Sequence, residues 1–172
     1  APTEFLSVAE ETGLILPLSR LILHEACSQV SVWRRDLVNG ERPYVSVNLS
    51  ARQFLRNDVV ADVMGALASS GLGPDALRLE VTERLLGIDT ADVLSKMRTL
   101  DAAGIRFLLD DFGTGYASLA YLHRFPIDTI KIDRSFIATM DQHDREELIQ
   151  TMLLLAQRMN LAVVAEGVEN QT

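Results

Sequence analysis

Five short apolar runs, separated by stretches of helical periodicity, constrain the fold of this chain more than any other feature. The runs are Tyr44–Asn48, Leu77–Thr82, Ile105–Leu109, Ile127–Ile132 and Leu161–Ala165, and their β-branched content marks them as strands. The intervening Pro17–Leu37, Asn57–Ser70, Thr90–Ala103, Tyr116–Arg124 and Asp144–Asn160 carry apolar residues three and four apart, which predicts helices. Asp144 with Glu147 fits a capping box, and Gly71 and Gly104 stand where helices should stop. Alternation of this kind demands right-handed crossovers and a parallel sheet. Two architectures remain, an open doubly wound sheet and a closed eight-stranded barrel.

Polar residues at the strand ends favour the barrel. Asn48 ends the first run, Glu80 lies late in the second, and Asp110 with Asp111 follows the third. Lys131 and Asp133 close the fourth, and Glu166 follows the fifth. Most of these positions recur at about the ~30 residues of one strand–helix unit. A single acid at a strand end is most often a helix cap or a surface charge. A polar group at the end of five successive strands is different, because such groups converge only if the sheet curls about one axis. That is the geometry of a TIM-like (β/α)8 barrel, whose chemistry sits at the carboxyl ends of its strands.

Asn48, Glu80, Asp110 and Asp111 are hard oxygen donors, suited to Mg2+ or Mn2+. Adjacent aspartates can serve two ions, and ions about 3.5–4 Å apart are the usual apparatus for in-line hydrolysis of a phosphodiester. The loop Phe112-Gly113-Thr114-Gly115 is too common a pattern to identify anything alone, and no kinase catalytic loop accompanies its Asp-Phe-Gly letters. The charge of −8 argues against a protein that coats duplex nucleic acid. An acidic protein binding a phosphate ligand needs metal ions to reverse the local sign. Cys27 is the only cysteine, so disulfide scaffolds are excluded. No apolar run approaches the ~18 residues of a membrane span, and the acidic opening APTEFLSVAEE is not that of a secretory signal.

Taken together, the strings VNLSARQF (Val47–Phe54), LEVTE (Leu79–Glu83), LLDDFGTGYASL (Leu108–Leu119), IDTIKIDRSFI (Ile127–Ile137) and VVAEGVE (Val163–Glu169) resemble the EAL-domain cyclic-di-GMP phosphodiesterases. The resemblance runs through the whole chain in the family's order, and the opening PTEFLSVAEETGLI resembles the helix that follows the family's name-giving motif. It implies hydrolysis of cyclic-di-GMP to linear pGpG by a two-metal site holding Mg2+ or Mn2+. Asn48, Glu80 and Asp110 match one metal site; Asp110 and Asp111, with Glu166, match the other. Lys131 matches the lysine beside the attacking water, with a pKa lowered by neighbouring cations. Glu166 is alternatively a general base, and Glu83 matches the residue that steadies the Asp110–Ser118 loop, a loop linked to homodimerisation. Arg52 and Asp133 are candidates for contact with substrate, Asp133 also being a possible helix cap.

The family's first catalytic glutamate, in its Glu-Ala-Leu strand, belongs upstream of Ala1. Glu25-Ala26-Cys27 lies within a helix and is no substitute. The family's last strand belongs beyond Thr172. The expectation is therefore residues 1–172 as one EAL domain truncated at both ends: an incomplete barrel of about five strand–helix units against the ~250 residues of a full one. Such a piece is expected to be poorly stable unless another segment or subunit closes it. The resemblance also implies a cytoplasmic setting, adjacent GGDEF or sensory domains, and no membrane contact by this segment. The alternatives are a non-catalytic cyclic-di-GMP receptor, a fragment inactive by truncation, or an unrelated enolising barrel enzyme, which would explain the acids but not LLDDFGTGYASL. His24, His123 and His143 share no metal-ligand spacing; Cys27 and Trp33 read as core or partly buried packing, Met152, Leu153 and Leu155 as a core stripe, and Arg34, Arg35, Arg56 and Arg134 as a solvated face or phosphate contacts.

Overall fold

A computed structural model describes residues 2–37, 40–56, 58–88, 91–113, 122–133 and 142–167. Helices α1 (Pro2–Thr12) and α2 (Ile15–Asp36) come first. The units that follow are β1 (Val45–Asn48), α3 (Ala51–Phe54) and α4 (Val59–Ser70), then β2 (Leu77–Thr82), α5 (Glu83–Leu86) and α6 (Ala91–Ala102). Strands β3 (Arg106–Phe112) and β4 (Thr129–Ile132), helix α7 (Gln142–Met159) and strand β5 (Ala162–Ala165) complete the described elements.

The strands form one parallel sheet in the order β1-β2-β3-β4-β5. Each strand lies beside its successor, without the reversal that defines a doubly wound sheet. Right-handed crossovers all stepping in one direction place the crossover helices α4, α6 and α7 on the same face. The chain is thus an incomplete (β/α) barrel, and its other face is free for chemistry.

Register decides which residues share that face. Asn48 pairs with Glu80, Glu80 with Leu108, Leu108 with Thr129 and Thr129 with Ala162. Because strand side chains alternate, Asn48, Glu80, Asp110, Lys131 and Val164 share one face. Val47, Leu79, Val81, Phe107, Leu109, Ile130 and Ile132 share the other, where they join Leu23, Cys27, Phe54, Val63, Met97, Leu100 and Met152 in the core. One face is built for stability and the other carries the polar groups.

Three helices end alike, in a left-handed residue. Gly71 (φ 66°), Gly104 (φ 96°) and Asn160 (φ 57°) each let the following apolar residue donate back to the preceding turn. Leu72, Ile105 and Leu161 reach the carbonyls of Leu67, Leu100 and Ala156 at 3.0, 3.0 and 2.9 Å. The helix is closed, and its last apolar contact leads toward the next strand.

Several boundaries depart from the sequence reading. Helix α7 begins at Gln142, two residues before Asp144, so it does not start at the expected capping box. Helix α2 starts two residues before Pro17, because proline is tolerated in a first turn. Leu153 is 46% exposed and Trp33 48%, so neither belongs to the core, whereas Cys27 and Met152 do. Residues 116–121 of the expected Tyr116–Arg124 helix lie outside the described residues, as do Arg134 and the His143 side chain. Among the described residues, no helix is long and apolar enough to cross a membrane.

Candidate active site at the carboxyl edge of the sheet

Lys131 Nζ is the hub of this edge. It contacts Glu166 Oε1 at 2.6 Å, Glu80 Oε2 at 2.8 Å and Asp110 Oδ1 at 3.0 Å. The register explains the convergence: β4 brings Lys131 between Asp110 of β3 and the end of β5, and the Glu166 N–H continues the β5 ladder to the Ile132 carbonyl. Lys131 and Glu80 are both buried. Burial pulls the lysine pKa down, but hydrogen bonds to Glu166, Glu80 and Asp110 outweigh it, and the ammonium is held well above its ordinary range. The groups next to the amine are carboxylates, which favour the ammonium; the lowered pKa expected beside cations concerns the site with those cations bound.

The second aspartate occupies a strand irregularity that the sequence reading missed. Leu109 pairs with Ile130 but Phe112 with Ile132, so β3 carries one extra residue. Asp111 sits within this bulge at φ 55°, a left-handed conformation that aspartate tolerates better than most residues. In a flat strand, adjacent side chains point to opposite faces; a bulge re-aims them. The slip also returns Phe112 to the helix-covered side, where it is buried. A usable signal was the apolar Phe112 out of step with Phe107 and Leu109.

Asp111 is exposed, yet partial burial followed by repulsion from Asp110, Asp133 and Glu166 raises its pKa, with Lys131 opposing. Asp133, one residue past β4, therefore belongs to the same acidic field. Asn48 ends β1 opposite Glu80, exposed, and the Leu49 N–H bonds the Glu80 carbonyl at 2.9 Å. Glu83 opens α5 and accepts the Gly113 N–H at 2.7 Å, tying the turn after β2 to the end of β3. Arg52 follows a different course. Its guanidinium donates to the Glu10 carbonyl at the end of α1. Arg34 likewise joins Pro43 and Asp75.

Five acids and one lysine share this edge, an excess of hard, anionic oxygen that suits a divalent cation. Among the described residues, no three acidic, histidine or cysteine side chains are gathered tightly enough to cage an ion by themselves. Glu80, Asp110 and Glu166 converge on the ammonium. The donor set fits Mg2+ or Mn2+ chemically, with Lys131 at its centre.

Known proteins are similar to this chain in sequence and in fold. The family model described as EAL domain matches residues 1–172. The chain is 40% identical over 170 residues to signaling protein YkoW of Bacillus subtilis, spanning 98% of this chain and 21% of that protein. It is 40% identical over 169 residues to cyclic di-GMP phosphodiesterase NbdA of Pseudomonas aeruginosa, spanning 98% of this chain and 21% of that one. The chain thus spans about a fifth of the length of these curated relatives. Among solved structures, the c-di-GMP complex of PaMucR phosphodiesterase superposes with a TM-score of 0.92 at 40% identity, covering 99% of this chain and 69% of that one. A match along the full length, in sequence and in the path of the backbone, means that this chain belongs to the EAL domain family.

Proposed function

We propose that this chain carries the metal-dependent hydrolysis of cyclic-di-GMP to linear pGpG. The observation that carries the reading is the convergence of Glu80, Asp110 and Glu166 on Lys131, at strand ends in a family whose relatives include named cyclic di-GMP phosphodiesterases. Asn48, Glu80, Asp110 and Asp111, with Glu166 as a further ligand if it is not the base, would hold two Mg2+ or Mn2+ ions. Such ions, when bound, supply an activated water and neutralise charge on the phosphoryl group.

The chain's own residues have distinct tasks. Lys131, hydrogen-bonded to Glu166, Glu80 and Asp110, orients water and offsets negative charge on the phosphoryl oxygens. Proton acceptance falls to a carboxylate. Glu166 is the most solvent-open of the three around Lys131, its side chain 36% exposed, and is the base we favour. Hydrolysis opens one of the two phosphodiester links of the ring. Glu83 holds the Gly113 end of the following loop in place, and Asp133 and Arg52 are assigned to substrate contact. We further propose residues 1–172 as part of one EAL domain, a homodimer through the Asp110–Ser118 segment, neighbouring GGDEF or sensory domains, and a cytoplasmic setting.

The test is a chromatographic product assay with cyclic-di-GMP and Mn2+ or Mg2+, run beside Asp110→Asn. Linear pGpG formed by the unmutated chain alone supports the proposal. Saturable cyclic-di-GMP binding without product would make the domain a receptor.

A further inference from the structure

A second recess, of about 340 Å3, lies between the α1–α2 turn and the α3–α4 connection, and no member of the Lys131 cluster lines it. Its apolar wall is Leu16, Pro17 and Val59. Its polar lining is Gln53 together with Arg20, Arg56, Asp58 and Asp62.

Gln53 makes this recess a site. The residue is 9% exposed. Its Oε1 accepts the Ser50 N–H at 2.9 Å and the Ser50 hydroxyl at 3.1 Å, completing a capping box at the start of α3. Its Nε2 donates to no partner among the described residues. Buried donors are almost always paired, and an unpaired one is costly. A glutamate would complete the same capping box with a charge that favours a helix N-terminus. What glutamine adds is an amide N–H pair on a side chain that lines the recess.

Donors outnumber acceptors in the remaining lining. Arg20 Nε donates to Asp62 at 2.7 Å and its Nη2 to Asp58, while Arg56 Nε meets Asp58 at 3.4 Å. Asp58 is engaged through both oxygens and Asp62 through Oδ2, while each guanidinium has five N–H donors, so Arg20 Nη1 and both Arg56 Nη groups exceed what Asp62 Oδ1 can accept. The N-termini of α2 (22 residues) and α4 (12 residues) adjoin the space through Leu16, Pro17 and Val59, adding partial positive charge. A donor surplus beside an apolar wall suits an oxyanion with a short hydrocarbon tail.

We propose that the recess binds a short aliphatic monocarboxylate. Gln53 Nε2 and the spare guanidinium N–H groups hold its carboxylate, and Leu16, Pro17 and Val59 face its chain. The site is independent of the hydrolytic reading.

The experiment titrates the 15N-labelled chain with butyrate, n-butanol and orthophosphate at constant ionic strength, following the Gln53 side-chain amide resonances. Butyrate should move them saturably, with n-butanol inert and orthophosphate weaker. Gln53→Glu keeps the capping oxygen but replaces the donor with an anion; it should retain the fold and weaken butyrate binding about tenfold or more, read at the Leu16 and Val59 amides. Gln53 resonances unmoved by butyrate, tighter binding of orthophosphate, or unchanged affinity in Gln53→Glu would each overturn the proposal. The titration of the unmutated chain decides the matter even if the variant does not fold.

Discussion

The Glu83 carboxylate accepts the N–H of Gly113 at 2.7 Å, joining the first residue of α5 to the residue that follows β3. Glu83 is buried, so its removal leaves the glycine N–H without that acceptor. Glu83→Ala should cost about 1–3 kcal/mol and lower turnover with little change in affinity for cyclic-di-GMP. Glu83→Gln keeps an acceptor oxygen and should restore most of the stability. Denaturant midpoints and single-turnover rates measure both. Equal losses in the two variants would mean that charge, not the hydrogen bond, matters.

Lys131 neutralises buried carboxylate, so its deletion should be felt in the fold as well as in the reaction. Lys131→Met leaves Glu80 without its cation partner, and breaking a buried pair from one side costs about 3–5 kcal/mol. Adding Glu80→Gln removes the stranded charge and should recover part of that stability, while hydrolysis stays abolished. A double-mutant cycle in urea checks this: additive losses would refute coupling between the two residues.

The sequence exposed the strand-end pattern because Asn48, Glu80, Lys131 and Glu166 interrupt or end runs that are otherwise apolar. Parallel pairing follows from alternation with helices, so the architecture could be read before the register was known. The bulge could not. Whether Asp110 and Asp111 face one site depends on how β3 slips against β4, a property of two strands that neither encodes alone. Arg52 sits in a readable motif, but its partner is a backbone carbonyl at Glu10, about which residue type says nothing. The pKa of Lys131 likewise depends on which charges stand beside it. Leu153 fits the helical period yet is exposed, because periodicity identifies an apolar stripe without showing how far across it the packing reaches.

Asp111 combines a left-handed backbone with a crowded carboxylate. Asp111→Gly should therefore be neutral to stabilising, because relief of the positive φ and of the repulsion offsets the greater unfolded-state freedom of glycine. Asp111→Asn keeps a residue that tolerates this conformation and isolates the electrostatic part. Both should lose hydrolysis. A stabilised, inactive variant is the signature of a residue kept for chemistry; thermal unfolding together with the product assay detects it.

An edge with five acids and one lysine should gain stability from a divalent cation. Mn2+ added to the chelator-treated chain should raise the melting temperature as its concentration passes the dissociation constant, by mass action on the folded state. Asp110→Asn should reduce that rise, and Arg52→Ala, remote from the carboxylates in its contacts, should not. Differential scanning fluorimetry distinguishes them. An equal response in all three chains would place the ion elsewhere.

The pH dependence of stability provides the last check, and its sign follows from Lys131. The folded pKa lies above the ordinary value of 10.5, so the native state holds the proton more tightly than the unfolded chain. Stability from this source is fully present below pH 10.5 and is lost as pH rises through the folded pKa. Other groups also titrate in alkali, which makes the difference between the unmutated chain and Lys131→Met the informative quantity. With chelator present, so that cations do not compete for the carboxylates, that difference should stay constant from neutral pH to about pH 10 and then shrink. Asp111 acts at the other end. Its pKa is raised from 3.8, so its ionisation disfavours the fold, and Asp111→Asn should be most stabilising at pH values above the folded pKa and neutral well below 3.8. Urea unfolding across the two ranges separates the groups. A Lys131 difference that grows in alkali would mean that the ammonium is not held by Glu80, Asp110 and Glu166 in the folded chain.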